Sequence, residues 1–229
     1  MKDIPIRNEE LIALLNEACA IANLDMIKNL ALSKQEKRKK FLNQEFHVGE
    51  EYRTRIVDMG QHHHGYPEHL DAFNLNLGGG VPEAEVESQI NQVGVDLYQR
   101  VLDVDKKIQT FIGTRNNALF TVYPPGGYIS WHNNANAPGY NVIFTWSEKG
   151  EGYWQHIDPI TKEVVTIPDV IGWQCKSGYY GHYGQKDELM YHCAATNCWR
   201  MTIAFVFNKS EMGEEMSKMA LEDISNTYK

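Results

Sequence analysis

The sequence predicts an α+β fold, with helices packed on one face of an antiparallel sandwich, jelly roll or barrel. Three observations carry that expectation. Before residue 115, apolar residues recur every three or four positions, as on one face of a helix. After it, aromatic and β-branched residues dominate short runs broken by Gly, Pro and Asn. No internal repeat or low-complexity tract interrupts either half.

The helices come first. Residues 8–30 read as one helix, capped by Asn8, with Glu9 and Glu10 in its first turn and Leu11, Leu14, Leu15, Ala18 and Ile21 as its apolar stripe. A second helix starts at Ser33, where Ser33 and Glu36 have capping-box spacing. Residues 46–58 read as extended, residues 59–83 as loop with a short strand at 73–77, and residues 83–111 as a strongly amphipathic helix from Val86 and Ile90 to Phe111. Strands are expected near 118–123, 128–132, 140–147, 152–157, 163–167, 189–193 and 199–207, with a Gly- and Tyr-rich insertion at 173–189 and a polar helical tail at 210–229.

The chain has 229 residues, enough for one domain with elaborations. Hydrophobic residues make up 42% and charged residues 23%, a folded rather than disordered composition. A net charge of −8 argues against nucleic acid or an anionic membrane as partner. The basic run Lys37-Arg38-Lys39-Lys40 reads as a solvated helix face. No apolar run approaches the roughly 18–20 residues that span a bilayer, and the first residues are too acidic and polar for a secretory signal. Four cysteines without a CxxC pair point to free thiols in a reducing compartment, the cytoplasm.

Chemistry concentrates in two segments, Tyr123-Pro-Pro-Gly-Gly-Tyr-Ile-Ser-Trp-His132-Asn-Asn134 and Tyr191-His192 through Arg200 to Thr202. Two histidines distant in sequence, on strands able to pair, can meet at one metal, and neutral imidazole suits iron, zinc, copper or nickel. A third ligand is needed. The side chain two residues after His132 projects from the same side of an extended segment, because side chains alternate with period two, and that residue is Asn134.

These segments resemble the Fe(II)- and 2-oxoglutarate-dependent dioxygenases, in particular their prolyl-4-hydroxylase-like branch, over about residues 118–207. The family's His-x-Asp pair, distal His and following basic residue correspond to His132-Asn133-Asn134, His192 and Arg200. Lys149-Gly150-Glu151-Gly152 is similar to the family's Gly-rich turn. The resemblance implies a double-stranded β-helix (jelly-roll, cupin-like) core at 116–209. A helical support region at 1–115 and a polar tail at 210–229 would complete one domain spanning 1–229. It implies Fe(II) held by His132, Asn134 and His192, and 2-oxoglutarate held through Arg200, Tyr123 and Thr202. It further implies O2 as co-substrate and hydroxylation of a small molecule or peptide.

Asn134 departs from the family, which has a carboxylate there. Three readings stay open: Asn134 ligates through its carbonyl oxygen; the position is vacant or filled by water or an anion; or the site is degenerate and catalytically dead, leaving at most a module that binds metal or keto acid without turnover. A rival His-x-Asp is His156-Ile157-Asp158, and a cupin-like centre of His132, His156 and His192 is a further alternative. His62-His63-His64 reads as an exposed loop, because adjacent histidines do not readily converge on one ion. Trp131 is the tryptophan expected on the substrate side.

Overall fold

The computed structural model describes residues 1–75, 88, 91–114, 117–185 and 187–227. Helix α1, Glu9–Ala22, is capped as expected: Asn8 Oδ1 accepts from the Leu11 N–H at 3.1 Å. The helix does not reach residue 30. Asn23 ends it by donating to the Cys19 carbonyl at 3.0 Å, and α2 runs from Asp25 to Arg38. Ser33 therefore sits inside α2 and caps nothing.

Residues 46–58 are not extended. They form α3, Gln44–His47, and α4, Glu50–Met59. Tyr52 and Ile56, four apart, make a single buried face against Trp131, Tyr191 and Cys193, and that tertiary surface outweighs local strand preference. The expected helix at 83–111 is interrupted rather than continuous: residues 91–93 are helical, Gly94 breaks the run with φ 82°, ψ 150°, which is open to glycine alone, and the long amphipathic helix α5 runs from Val95 to Ile112. The expected helix positions Val86 and Ile90, and Asn76 and Leu77 of the expected strand, lie outside the described residues. The tail is helical, α6, Glu211–Ser225.

The strands follow as β1 Lys2–Ile4, β2 Leu70–Asp71, β3 Phe73–Asn74, β4 Asn117–Tyr123, β5 Tyr128–His132, β6 Gly139–Ser147, β7 Gly152–Ile157, β8 Val164–Pro168, β9 Gly172–Tyr180, β10 His192–Thr196 and β11 Arg200–Asn208. They form two antiparallel sheets of order β1-β9-β6-β11-β4-β3 and β2-β5-β10-β7-β8. The expected insertion at 173–189 is largely β9, which pairs with β6 along its whole length. Its inner face carries Gln174, Lys176 and Gly178, so it lacks the alternating apolar signal. The expected strand at 189–193 shifts to start at His192.

The main core lies between the first sheet and α1, α2, α5 and α6, and it includes Leu15, Val104, Ile108, Phe144 and Ile203. A thinner apolar layer between the sheets joins Ile129, Trp154 and Ala194 to Ile143 and Tyr180. Helices were expected on one sheet only; α4 instead covers the outer face of the second. There α3 is fastened to β5 by His47, whose Nδ1 lies 2.6 Å from the Tyr128 hydroxyl and whose ring stacks on His69 at 3.7 Å.

Ile203→Ala should cost about 2–5 kcal/mol in urea unfolding, since Ile203 is fully buried in the main core. Burial, then the neighbouring His69 and Arg55, push His47 down to about 4 from its ordinary 6.5. The unfolded chain therefore takes that proton first. The stabilisation is complete above about pH 6.5 and is lost as pH falls toward 4. His47→Gln should flatten that part of the stability profile, measured by thermal unfolding across the window.

Candidate metal centre and anion pocket

The register of β5 against β10 sets the geometry. His132 pairs with His192, but Ile129 pairs with Ala194, so three steps on β5 match two on β10. This bulge re-aims side chains. Ile129 and His132, which strict alternation would put on opposite faces, both turn toward the first sheet, while Trp131 turns outward against α4. Trp131 is fully buried there, its indole N–H donating to the Val48 carbonyl at 2.8 Å; it is core, not substrate wall.

His132 and His192 face each other with ring centroids 4.1 Å apart. Each Nδ1 meets the carbonyl two residues back, Ser130 at 2.8 Å and Met190 at 3.2 Å. A carbonyl only accepts, so each Nδ1 carries the proton and each Nε2 keeps its lone pair. Burial pushes His132 well below its ordinary value and His192 down to about 4. Both rings are neutral at pH 7, with an oriented lone pair, which is the state a metal ligand requires.

Asn134 lies just past the end of β5, with a left-handed backbone (φ 52°). It does not continue the extended strand, so strand alternation does not put its side chain on the His132 face; its N–H is tied instead to the Gly65 carbonyl at 2.8 Å. The loop carrying Gly65 packs tightly here, and a Cβ on Gly65 would lie 2.0 Å from the Asn136 side chain. The histidine loop thus abuts the segment after His132.

That loop is not uniformly exposed. His63 is buried, while His62 and His64 are exposed. Among the described residues, His63, His64 and Glu68 are the trio of His, Cys, Asp or Glu whose ligand atoms all lie within 4.8 Å of one another. Their bonding fits a metal poorly. His63 Nδ1 and His64 Nδ1 accept from the N–H groups of Gly65 (3.0 Å) and Tyr66 (3.1 Å), which puts the protons on Nε2. Glu68 accepts from Tyr52 at 2.7 Å and pairs with Arg55.

His156 aligns with His192 on its other side, making a row of three across the second sheet. The ligand nitrogens of the row do not all converge within 4.8 Å. Asp158 caps a turn, accepting from Ile160 (2.9 Å) and Thr161 (2.8 Å), and so is committed elsewhere than to His156.

Arg200, Tyr123 and Thr202 come together on the inner face of the first sheet. Arg200 pairs across the register with Tyr123 and Ser147, its guanidinium lies 5.3 Å from the Tyr123 ring, and Nη1 donates to Thr202 Oγ1 at 2.7 Å. Burial pushes the Tyr123 hydroxyl up to about 12, so it stays a donor. Sequence reasoning missed Asp169. Its carboxylate takes Arg200 Nε at 2.8 Å and Gln174 Nε2 at 2.8 Å, and both ion-pair side chains are buried. Lys176 and Tyr180 were missed too. Tyr180 packs 4.8 Å from the His192 ring. A lysine amid aromatic and Gly residues was their one sequence signal.

No family model and no curated protein matches the chain. Among solved structures it is similar to a prolyl-4-hydroxylase from Pseudomonas putida, with TM-score 0.33 and 14% identity over 87% of this chain and 99% of that one. It is also similar to the dioxygenase for auxin oxidation 1 from Arabidopsis thaliana, with TM-score 0.32 and 13% identity over 91% and 94% of the two chains. A viral collagen prolyl hydroxylase from Paramecium Bursaria Chlorella virus-1 gives TM-score 0.30 and 13% identity over 66% and 83%. Superpositions this loose decide neither activity nor ligands.

Removing either partner of the buried Arg200–Asp169 pair strands a charge and should cost about 3–5 kcal/mol. The double variant Arg200→Met/Asp169→Leu should cost less than the two single losses added, measured by a urea double-mutant cycle.

Proposed function

We propose that this chain is a non-haem Fe(II)- and 2-oxoglutarate-dependent dioxygenase that hydroxylates a small molecule or peptide, built as one domain on a double-stranded β-helix. The strand order supports the fold reading: β4, β6, β9 and β11 share one sheet and β5, β7, β8 and β10 the other. The observation that carries the function is the facing pair His132 and His192, neutral, buried and each locked by a carbonyl on Nδ1. When bound, the iron supplies the redox chemistry that couples decarboxylation of 2-oxoglutarate to oxidation of a C–H bond by O2.

The chain's own groups then bind, orient and exclude water. His132 and His192 would offer Nε2, and Asn134, which follows His132 with a left-handed backbone, would have to offer an amide oxygen in place of a carboxylate, which would leave the centre one negative charge short. Arg200, Tyr123 and Thr202 would hold the far carboxylate of the keto acid, which would have to share Arg200 with Asp169. The four free thiols fit work in the cytoplasm, and among the described residues no helix is long and apolar enough to cross a membrane.

A second reading is a module that binds metal and keto acid without turnover, favoured by the neutral Asn134 and by the carboxylate already on Arg200.

Fe(II) and 2-oxoglutarate added without O2 should give a weak visible charge-transfer band, and O2 should then release succinate. His132→Ala and His192→Ala should abolish both signals, while Asn134→Asp should raise Fe(II) affinity. Binding without succinate would establish the second reading, and no binding of 2-oxoglutarate at millimolar concentration would sink both.

A further inference from the structure

Lys176 is 2% exposed, and its ammonium has no hydrogen-bond partner. A buried charge without a partner is expensive, and proteins rarely keep one that does nothing. Its direction follows from its neighbours on β9. Cys175 belongs to the core beneath the helices, so Lys176 turns the other way, between the sheets. Gln174, two residues before it on that face, holds Asp169; Tyr180, four residues after it, packs on His192. Lys176 therefore stands on the stretch of β9 that joins the Arg200–Asp169 pair to the histidines.

The charges there do not balance. Arg200 and Lys176 are two buried cations, and Asp169 is the buried carboxylate facing them. Asp3, level with Lys176 on β1, is exposed, where water screens it. Burial pushes the Lys176 amine below the ordinary lysine value, with Asp169 opposing and Arg200 adding to that effect. Asp169 occupies Nε of Arg200, so the cation left for an incoming acid is Lys176. The Tyr180 hydroxyl is a second buried donor without a partner on the same face.

We propose that Lys176 is the principal cation of an anion pocket between the sheets and binds one carboxylate of a short dicarboxylate. This deepens the co-substrate reading and rests on it for the identity of the acid, with Arg200 as the neutralised support and Lys176 as the partner that admits a second carboxylate. A lysine kept for ligand binding leaves the empty protein less stable than it need be.

The test titrates succinate, which has both carboxylates but no metal-chelating keto group, calorimetrically into the metal-free full chain. The wild type should bind it, Lys176→Met should bind at least tenfold more weakly, and Lys176→Arg should retain most of the affinity. In thermal unfolding without ligand, Lys176→Met should melt above the wild type, and succinate should raise the midpoints of the wild type and Lys176→Arg but much less that of Lys176→Met. Lys176→Gln, which keeps a polar end, serves if the methionine variant does not fold. Unchanged succinate affinity in the variants, a lowered midpoint with affinity intact, or no succinate binding by the wild type would each overturn the proposal. Succinate binding without Fe(II) binding would instead overturn the metal reading and leave the pocket standing. Fe(II) and 2-oxoglutarate binding indifferent to Lys176→Met would do the reverse.

Discussion

The bulge in β5 is the constraint on which the centre depends. Strand alternation would send Ile129 and His132 to opposite faces. One extra residue against β10 lets Ile129 join the apolar layer between the sheets and still turns His132 toward His192. The same irregularity sends Trp131 outward under α4, where it anchors the second sheet's cover. Packing and site geometry are thus set by one local departure from regular pairing, and bulges recur where a side chain must be re-aimed.

The space between the sheets is unusual for a core. Apolar contact is confined to one part of it, around Trp154, Ala194, Ile143 and Tyr180. Elsewhere the inner faces present Arg200, Asp169, Lys176, Thr145, Thr202 and the histidines. Groups of this kind stabilise only when fully satisfied. Arg200 and Asp169 are satisfied by each other and by Thr202 and Gln174. Lys176 Nζ, the Tyr180 hydroxyl and His156 Nδ1 are not. Stability is supplied instead by the larger core between the first sheet and the helices, which leaves the inner faces free to hold polar chemistry.

How much was legible varied with the kind of signal. Strands β4 to β8 and β11 were legible to within a residue or so, because each alternates side chains or is bounded by Gly, Pro or Asn. The pairing of His132 with His192 was visible as two histidines on strands able to pair, and the cluster of Arg200, Tyr123 and Thr202 only as what the family resemblance implied. The helical state of 44–59 was not, since Tyr, Ile and Val there favour strands until Trp131 and Cys193 offer a surface. Strand β9 was hidden because its inner face is polar, and Lys176 and Asp169 were hidden with it.

The sequence by itself determined the two-part architecture, the histidine pair and the buried arginine, since periodicity and residue chemistry are local properties. Tertiary structure alone decided which way each group faces and what already occupies it. It turned His132 inward through a bulge, took Asn134 out of the extended register, gave Arg200 an internal carboxylate and left Lys176 without one. The physical reason is that register, burial and charge pairing are relations between distant strands, and a lone residue type does not encode its partner.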